Sequence, residues 1–225
     1  MVDPASRQHG LIDALPDLKL LITTGARNNS FDVKACAERG VTVCGTGAAG
    51  SPTTGIAFGL MLELTRHIGF ENARLKAGAP WQTTIGRDLE ALTLGVLGLG
   101  KLGQRSAAVG KAFGMTTIAW SQNLTEEKAK AAGADYVSKD DLFRNADFVT
   151  IHLALSDRSR GLVGAKELGL MKKSAYLINT SRGPVVDEGA LAWALRERVI
   201  AGAALDVYEK EPVVHPDLHG LENAL

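Results

Sequence analysis

Residues 93–103 read Thr-Leu-Gly-Val-Leu-Gly-Leu-Gly-Lys-Leu-Gly. The run Thr93–Leu97 is apolar and strand-like, and the residues from Leu102 to Ala112 have a helical pattern. Between them, Gly98-Leu99-Gly100-Lys101-Leu102-Gly103 forms a GxGxxG. A glycine-rich turn alone says little. Placed after a strand and at the opening of a helix, it predicts a turn that cradles a pyrophosphate. The first glycine permits the tight turn, the second lets the phosphates approach the backbone, and the third lets helix and strand pack closely. The helix N-terminus adds about half a positive charge opposite the phosphates. Gly98, Gly100, Lys101, Leu102 and Gly103 are therefore the candidate cofactor contacts.

Outward from this turn, short apolar runs alternate with helical stretches. The runs are Thr93–Leu97, Thr116–Trp120, Asp147–Leu153, Ala175–Asn179 and Ala203–Val207. Between them lie Leu102–Ala112, Glu126–Ala132, Lys139–Arg144, Ala165–Met171 and Glu188–Arg198. Strands that are apolar throughout are covered on both faces, and such alternation means βαβ units and a parallel sheet. Ser138 precedes Asp141 at capping spacing, and Asp187 and Glu188 open a further helix. The expected fold class is α/β, a doubly wound Rossmann sheet of roughly six strands. Upstream, residues 51–77 read as one long amphipathic helix with Pro52 in its first turn. Before it, strands at Leu18–Thr23 and Val41–Cys44 flank a helix at Phe31–Arg39. Two units are expected: residues 1–50, and residues 51–225 including the long helix.

Composition narrows the function classes. The chain has 225 residues, 45% hydrophobic and 22% charged, with 25 basic and 25 acidic side chains. Zero net charge gives no reason to expect nucleic acid or a membrane surface as partner. No leader-type apolar segment opens the sequence. Cys36 and Cys44 read as thiols of a reducing compartment rather than a disulfide, which fits a cytoplasmic protein. No metal site is expected.

The second strand ends where the adenosine ribose of a dinucleotide is gripped, about 20 residues past the turn. The residues there are Ser121, Gln122 and Asn123. A serine does not repel a 2′-phosphate as an Asp would, so NADPH is expected to be accepted, with NAD(H) left open.

Residues 179–212 read NTSRGPVVDEGALAWALRERVIAGAALDVYEKEP. Arg182 follows a strand end, on the ligand side of a parallel sheet, and its planar guanidinium fork suits a carboxylate. Over its whole length this stretch resembles the D-isomer specific 2-hydroxyacid dehydrogenase family, the group of glyoxylate/hydroxypyruvate reductases and phosphoglycerate dehydrogenase-like enzymes. The resemblance implies an NAD(P)-dependent oxidoreductase that moves a hydride between the nicotinamide and C2 of a 2-hydroxy or 2-oxo acid. It implies that Arg182 binds substrate and that Glu211 charges a catalytic His. It places Ser121, Leu153, Thr180, Ser181, Arg182 and Asp206 at the cofactor, and Gly25 and Ala26 in a loop whose amides receive the substrate carboxylate. It also implies a homodimer, a hinge helix at 51–77, and a partial flavodoxin-like substrate domain in residues 1–50. His152 matches a His often found near the cofactor, and simple packing explains it equally well. His215 and His219 read as loop residues. The family's Thr-Pro-His segment would follow the last residues given, GLENAL. Impaired turnover is therefore expected of this chain. A non-catalytic dinucleotide-binding or interaction module, or a fragment of a longer dehydrogenase, is the alternative.

Overall fold

From Thr93 onward every strand runs in the same direction. In the computed structural model, which describes residues 12–25, 28, 31–47 and 52–225, six of them form one sheet. They are β3 (Thr93–Leu97), β4 (Thr116–Trp120), β5 (Asp135–Tyr136), β6 (Phe148–Ile151), β7 (Tyr176–Asn179) and β8 (Gly202–Leu205). Their spatial order is β5-β4-β3-β6-β7-β8. Counted from β3 this is 3-2-1-4-5-6, the doubly wound Rossmann order, with its switch point between the first and fourth strands. Here those strands are β3 and β6.

Alternate strand residues face opposite sides, so each strand feeds two cores. Val149, Ile151, Leu177 and Ala203 pack with Leu142, Phe143, Leu168 and Leu191 on one face. Phe148, Ile178, Ala204, Leu94 and Val96 pack with Phe58, Met61 and Ala107 on the other. All four residues of β6 and of β8 are buried, which is why these strands read as continuous apolar runs. The main chain of Asn223–Leu225 lies along β8, with Ala203 N–H donating to Asn223 O and Leu225 N–H to Ala203 O. That pairing covers an edge that would otherwise expose unpaired backbone groups.

Capping residues set the helix starts. Ser138 Oγ accepts from Asp141 N–H at 3.1 Å, and Asp187 Oδ1 accepts from Ala190 N–H at 3.0 Å. Each satisfies one of the orphan donors of a first turn.

The long helix expected at 51–77 is instead two helices, Pro52–Arg66 and Ile68–Lys76. His67 stands between them in the left-handed region, with φ 53. The Glu63 carboxylate reaches forward and accepts from Gly69 N–H at 2.8 and 3.0 Å. A side chain of the first helix thus caps the second, and the cap holds the bend that a periodicity reading cannot see. Ser51 lies outside the described residues.

By contacts the chain divides into Met1–Ser51 and Pro52–Leu225. In the first unit, β1 (Leu20–Thr23) and β2 (Thr42–Gly45) pair in parallel around the helix Val33–Glu38. Its core is small: among the described residues Ile12, Cys36 and Val41 are the buried apolar ones. Asp32 caps the helix through Ala35 N–H at 2.8 Å, and Arg39 ties back to Asp13 and to Ile12 O. Both cysteines are free thiols, Cys36 buried and Cys44 exposed. Among the described residues no helix is long and apolar enough to cross a membrane.

Candidate functional site

The three glycines of the turn do different things. Gly98 has φ +105, and a Cβ on it would lie 2.8 Å from the His152 carbonyl carbon and oxygen. A Cβ on Gly103 would lie 2.0 Å from the Gly98 carbonyl oxygen. These two are glycine because the protein itself fills the space. A Cβ on Gly100 would meet nothing within 4 Å. Gly100 also has ordinary extended backbone, φ −76 and ψ −165. Neither strain nor packing demands a glycine there. The open space leaves a bare approach path for a ligand. Lys101 and Leu102 follow as the exposed first residues of the helix Lys101–Ala112.

Beside Gly100 a cavity of about 700 Å³ opens at the carboxyl ends of β3, β4 and β6. Leu99 and Gly100 line it from the turn, Trp120 to Leu124 from the end of β4, and Leu153 from the end of β6. Such crevices outside the strand ends at a switch point are where doubly wound folds bind ligands. Ser121 Oγ accepts from Leu99 N–H at 2.7 Å, so this serine also fastens the phosphate turn to β4.

Two buried polar atoms sit at neighbouring strand ends. His152, next after β6, shares a 3.1 Å hydrogen bond between its Nε2 and Thr150 Oγ1. Its Nδ1 is buried without a partner among the described residues, and so is Oγ1 of Thr180, next after β7. Burial pulls the His152 pKa down from 6.5 to about 4, so the ring is neutral at physiological pH. Buried polar atoms without partners are costly, and they point to a missing ligand or water.

The segment from Asn179 is shaped by that residue, which is fully buried. Its Oδ1 accepts from Ser181 N–H at 3.1 Å and its Nδ2 donates to Arg182 O at 3.1 Å. Ser181 Oγ donates to Leu153 O, tying the loop after β7 to the loop after β6. Arg182 is exposed, with Nη1 donating to Ser181 O at 2.7 Å. A Cβ on Gly183 would lie 1.9 Å from the Tyr208 carbonyl carbon, so the backbones of the Arg182 and Glu211 segments are pressed together. Buried Glu188 accepts from Glu209 N–H at 2.6 Å, and Glu211 Oε1 accepts from Tyr208 N–H at 3.1 Å. Asp206, just past β8, is exposed and donates its N–H to Asn179 O at 3.0 Å.

Thus Gly98, Gly100, Lys101, Leu102, Gly103, Ser121, Leu153, Thr180, Ser181, Arg182 and Asp206 all follow strand ends on one edge of the sheet. Sequence reasoning missed Asn179 and Glu188, which shape the site without facing it. It also missed Lys128 and Arg158, which line the cavity. His215 Nδ1 accepts from Asp217 N–H at 3.2 Å and so caps a turn, and His219 ends the same turn. In the first unit, Gly25 has φ +100 and its N–H donates to Thr46 Oγ1 at 2.9 Å. Ala26 lies outside the described residues.

Known proteins resemble this chain in sequence and fold. Residues 58–225 match the family profile described as D-isomer specific 2-hydroxyacid dehydrogenase, NAD binding domain. A protein of Staphylococcus aureus (strain bovine RF122 / ET3-1) named as a 2-hydroxyacid dehydrogenase is 39% identical over 220 residues, covering 96% of this chain and 69% of that protein. The crystal structure of phosphoglycerate oxidoreductase from Vibrio cholerae O395 superposes with a TM-score of 0.85 at 31% identity, over 100% of this chain and 81% of that one. D-lactate dehydrogenase from Aquifex aeolicus, solved with NAD and lactic acid, gives 0.76 at 28% identity, over 96% of this chain and 70% of that one. With a family profile matched over most of the chain and a relative 39% identical over 69% of its own length, the chain belongs to the D-isomer specific 2-hydroxyacid dehydrogenase family, oxidoreductases with a Rossmann-type NAD-binding domain.

Proposed function

We propose that the chain binds NAD(H) or NADP(H) along the carboxyl edge of the β3–β8 sheet and serves hydride exchange with a small 2-oxo or 2-hydroxy acid. The observation that carries this is Gly100. It is bare where a side chain would fit, at the mouth of a cavity reached from the turn. The turn's amides and the helix N-terminus receive the pyrophosphate. His152 Nδ1 and Thr180 Oγ1 offer unpartnered polar atoms toward the nicotinamide half, with Asp206 beside them in the strand-end row. When bound, the nicotinamide supplies or accepts the hydride at C4. Arg182 holds the carboxylate of the acid, with donors that its single bond to the Ser181 carbonyl leaves free. For Gly25 and Ala26 the reading rests on the sequence, and the Gly25 amide already serves Thr46.

Turnover is expected to be slow wherever Glu211 lacks a histidine partner. Among the described residues Glu211 has no histidine partner, only the Tyr208 amide. That observation favours a second reading, a dinucleotide-binding chain without turnover of its own. A homodimer belongs to the proposal as well. Ile68, Phe70, Leu75, Trp81 and Ile85 are all more than half exposed, on and just after the helix Ile68–Lys76. Such a cluster is apolar surface that pairing would cover. The two free thiols fit a cytoplasmic setting.

Titration of intrinsic fluorescence with NADH and NADPH tests binding, since Trp120 lines the cavity. Saturation at micromolar concentrations is expected, and no binding of either at millimolar concentration would overturn the proposal. Oxidation of either cofactor with glyoxylate or hydroxypyruvate separates the readings. Rates near the typical enzyme value of about 10 s⁻¹ would reject the second reading and require a proton donor other than a Glu211-paired histidine.

A further inference from the structure

The segment that carries Glu211 is tied to the rest of the chain at few points. Asp206 N–H donates to Asn179 O just past β8. Beyond it, among the described residues, residues 207–211 send one hydrogen bond out of their own turn: Glu209 N–H donates to Glu188 Oε1 at 2.6 Å. The bond from Tyr208 N–H to Glu211 Oε1, at 3.1 Å, is internal to the turn. Tyr208 also packs on the core, an apolar contact without direction.

Glu188 is 4% exposed and has no cationic partner among the described residues. A buried carboxylate is costly unless its charge is engaged. Two things engage it. It is the first residue of the helix Glu188–Arg196, where the positive end of the helix dipole favours an anion. It also accepts the Glu209 amide in a charge-assisted bond. Asp187 already caps this helix through Ala190 N–H, so the Glu188 side chain is free to reach across to another segment.

The peptide that Glu188 holds is the one that Gly183 meets. A Cβ on Gly183 would overlap the Tyr208 carbonyl and the Glu209 nitrogen, so the two backbones are in contact. Gly183 is the chain neighbour of Arg182. The residues after it are anchored by Gly161 N–H to Pro184 O at 2.8 Å and Val163 N–H to Val185 O at 3.1 Å. One peptide, Tyr208–Glu209, therefore joins the Arg182 strip to the turn that ends in Glu211.

We propose that Glu188 is a positioning residue for the acid subsite: by holding the Glu209 amide it keeps the Tyr208–Glu209 peptide against Gly183, and so fixes Arg182 and Glu211 relative to each other. This rests on the reading of Arg182 as the carboxylate holder and adds the residue that sets its place. Glu188 does not line the cofactor cavity. It contributes an acceptor oxygen at a fixed reach, and a misplacement of about 1 Å can cost about 10²-fold.

Equilibrium binding separates this role from a general loss of stability. Calorimetry gives the dissociation constant of NADH, then that of oxamate with NADH at saturation. Oxamate has a carboxylate beside a carbonyl and is not turned over. Glu188→Asp keeps the charge at the helix start but draws the oxygens back by one bond, about 1.5 Å. Oxamate affinity should fall about tenfold, with NADH affinity within about twofold of the unaltered chain. Glu188→Ala should lose at least as much oxamate affinity. Glu188→Gln keeps an acceptor at full reach and should bind oxamate within about twofold of the unaltered chain. Hydrogen exchange needs no variant: the Glu209 amide should exchange at least about tenfold slower than an unstructured amide. An unprotected Glu209 amide overturns the proposal. So does an unchanged oxamate affinity in the Asp and Ala variants. A loss shared equally by NADH and oxamate marks a merely structural carboxylate and overturns it too, as does a Gln variant as weak as Ala. If NADH binds to the unaltered chain and millimolar oxamate does not, the Arg182 reading fails and the positioning role with it. If oxamate binds and the variants make no difference, only the role of Glu188 falls.

Discussion

The two ends of the β3–β6 strand pair are built to opposite rules. At the amino end, buried Asp147 accepts from Thr93 N–H at 2.9 Å, meets Lys172 at 3.1 Å and faces Arg87 at 4.0 Å. Its own N–H returns to Thr93 O at 2.8 Å. The charge there is fully engaged, and it locks the register of the two central strands. At the carboxyl end, His152 Nδ1 and Thr180 Oγ1 have no partner among the described residues, and Gly100 leaves open space. Ser106 Oγ and Thr117 Oγ1 also lack partners, but they sit in the layer between the helix Lys101–Ala112 and β4, not in the strand-end crevice. One end of the strand pair is finished by the protein alone. The other keeps unpaired polar atoms, at some cost in stability, where the proposed cofactor would meet them.

This contrast can be broken most forcefully at Gly103. Its added Cβ would sit 2.0 Å from a backbone carbonyl. Gly103→Ala should therefore destabilise by more than the roughly 1–3 kcal/mol of ordinary overpacking. Urea unfolding would show it, and an unchanged midpoint would mean that the helix shifts freely on the turn. Next, Asp147→Ala should cost about 1–3 kcal/mol, because Thr93 N–H loses its acceptor at the strand end. Nucleotide affinity should stay the same, because Asp147 stands at the other end of the strands. A matching loss of affinity would show the two ends to be coupled.

The reverse pattern is expected at Gly100. Gly100→Val should leave the urea midpoint in place and weaken NADH and NADPH by roughly 100-fold, about 2.7 kcal/mol. A stable variant that still binds would remove the central support for the cofactor site.

The smallest effect concerns pH. His152 has its folded pKa lowered by burial, from 6.5 to about 4. The unfolded chain therefore takes up the proton first as pH falls. Stability is complete above about pH 6.5, declines through pH 5, where the loss is about 2 kcal/mol, and levels off below about pH 4. Unfolding curves of the unaltered chain and His152→Gln at pH 7 and pH 5 should differ by this amount. Equal acid sensitivity in both would mean that the imidazole is not the group responsible.

How much of this was readable differs from element to element. The runs Thr93–Leu97 and Thr116–Trp120 became β3 and β4 with the same bounds, because their middle residues are buried on both faces and have to be strand-compatible. Ser138 and Asp187 announced their helices because a cap is a local interaction within one turn. β5 was missed, since it has only two exposed residues and exists through pairing with Ile118 and Ala119. The break at His67 was missed for a related reason. The periodicity on either side is helical, and the bend is held by a carboxylate six residues before the amide that it caps.

The sequence by itself determined the family, the sheet class, the glycine turn and the strip from Asn179 to Pro212. Those depend on residue type at fixed short spacing, where backbone geometry leaves few alternatives. Only the tertiary structure decided which glycine is bare for a ligand, which buried atoms stay unpartnered, and that Lys128 and Arg158 line the same cavity. Those two cations are 30 positions apart in the chain. They share one wall because parallel strands bring all their carboxyl ends to the same edge, and short-range sequence patterns carry no record of that distance.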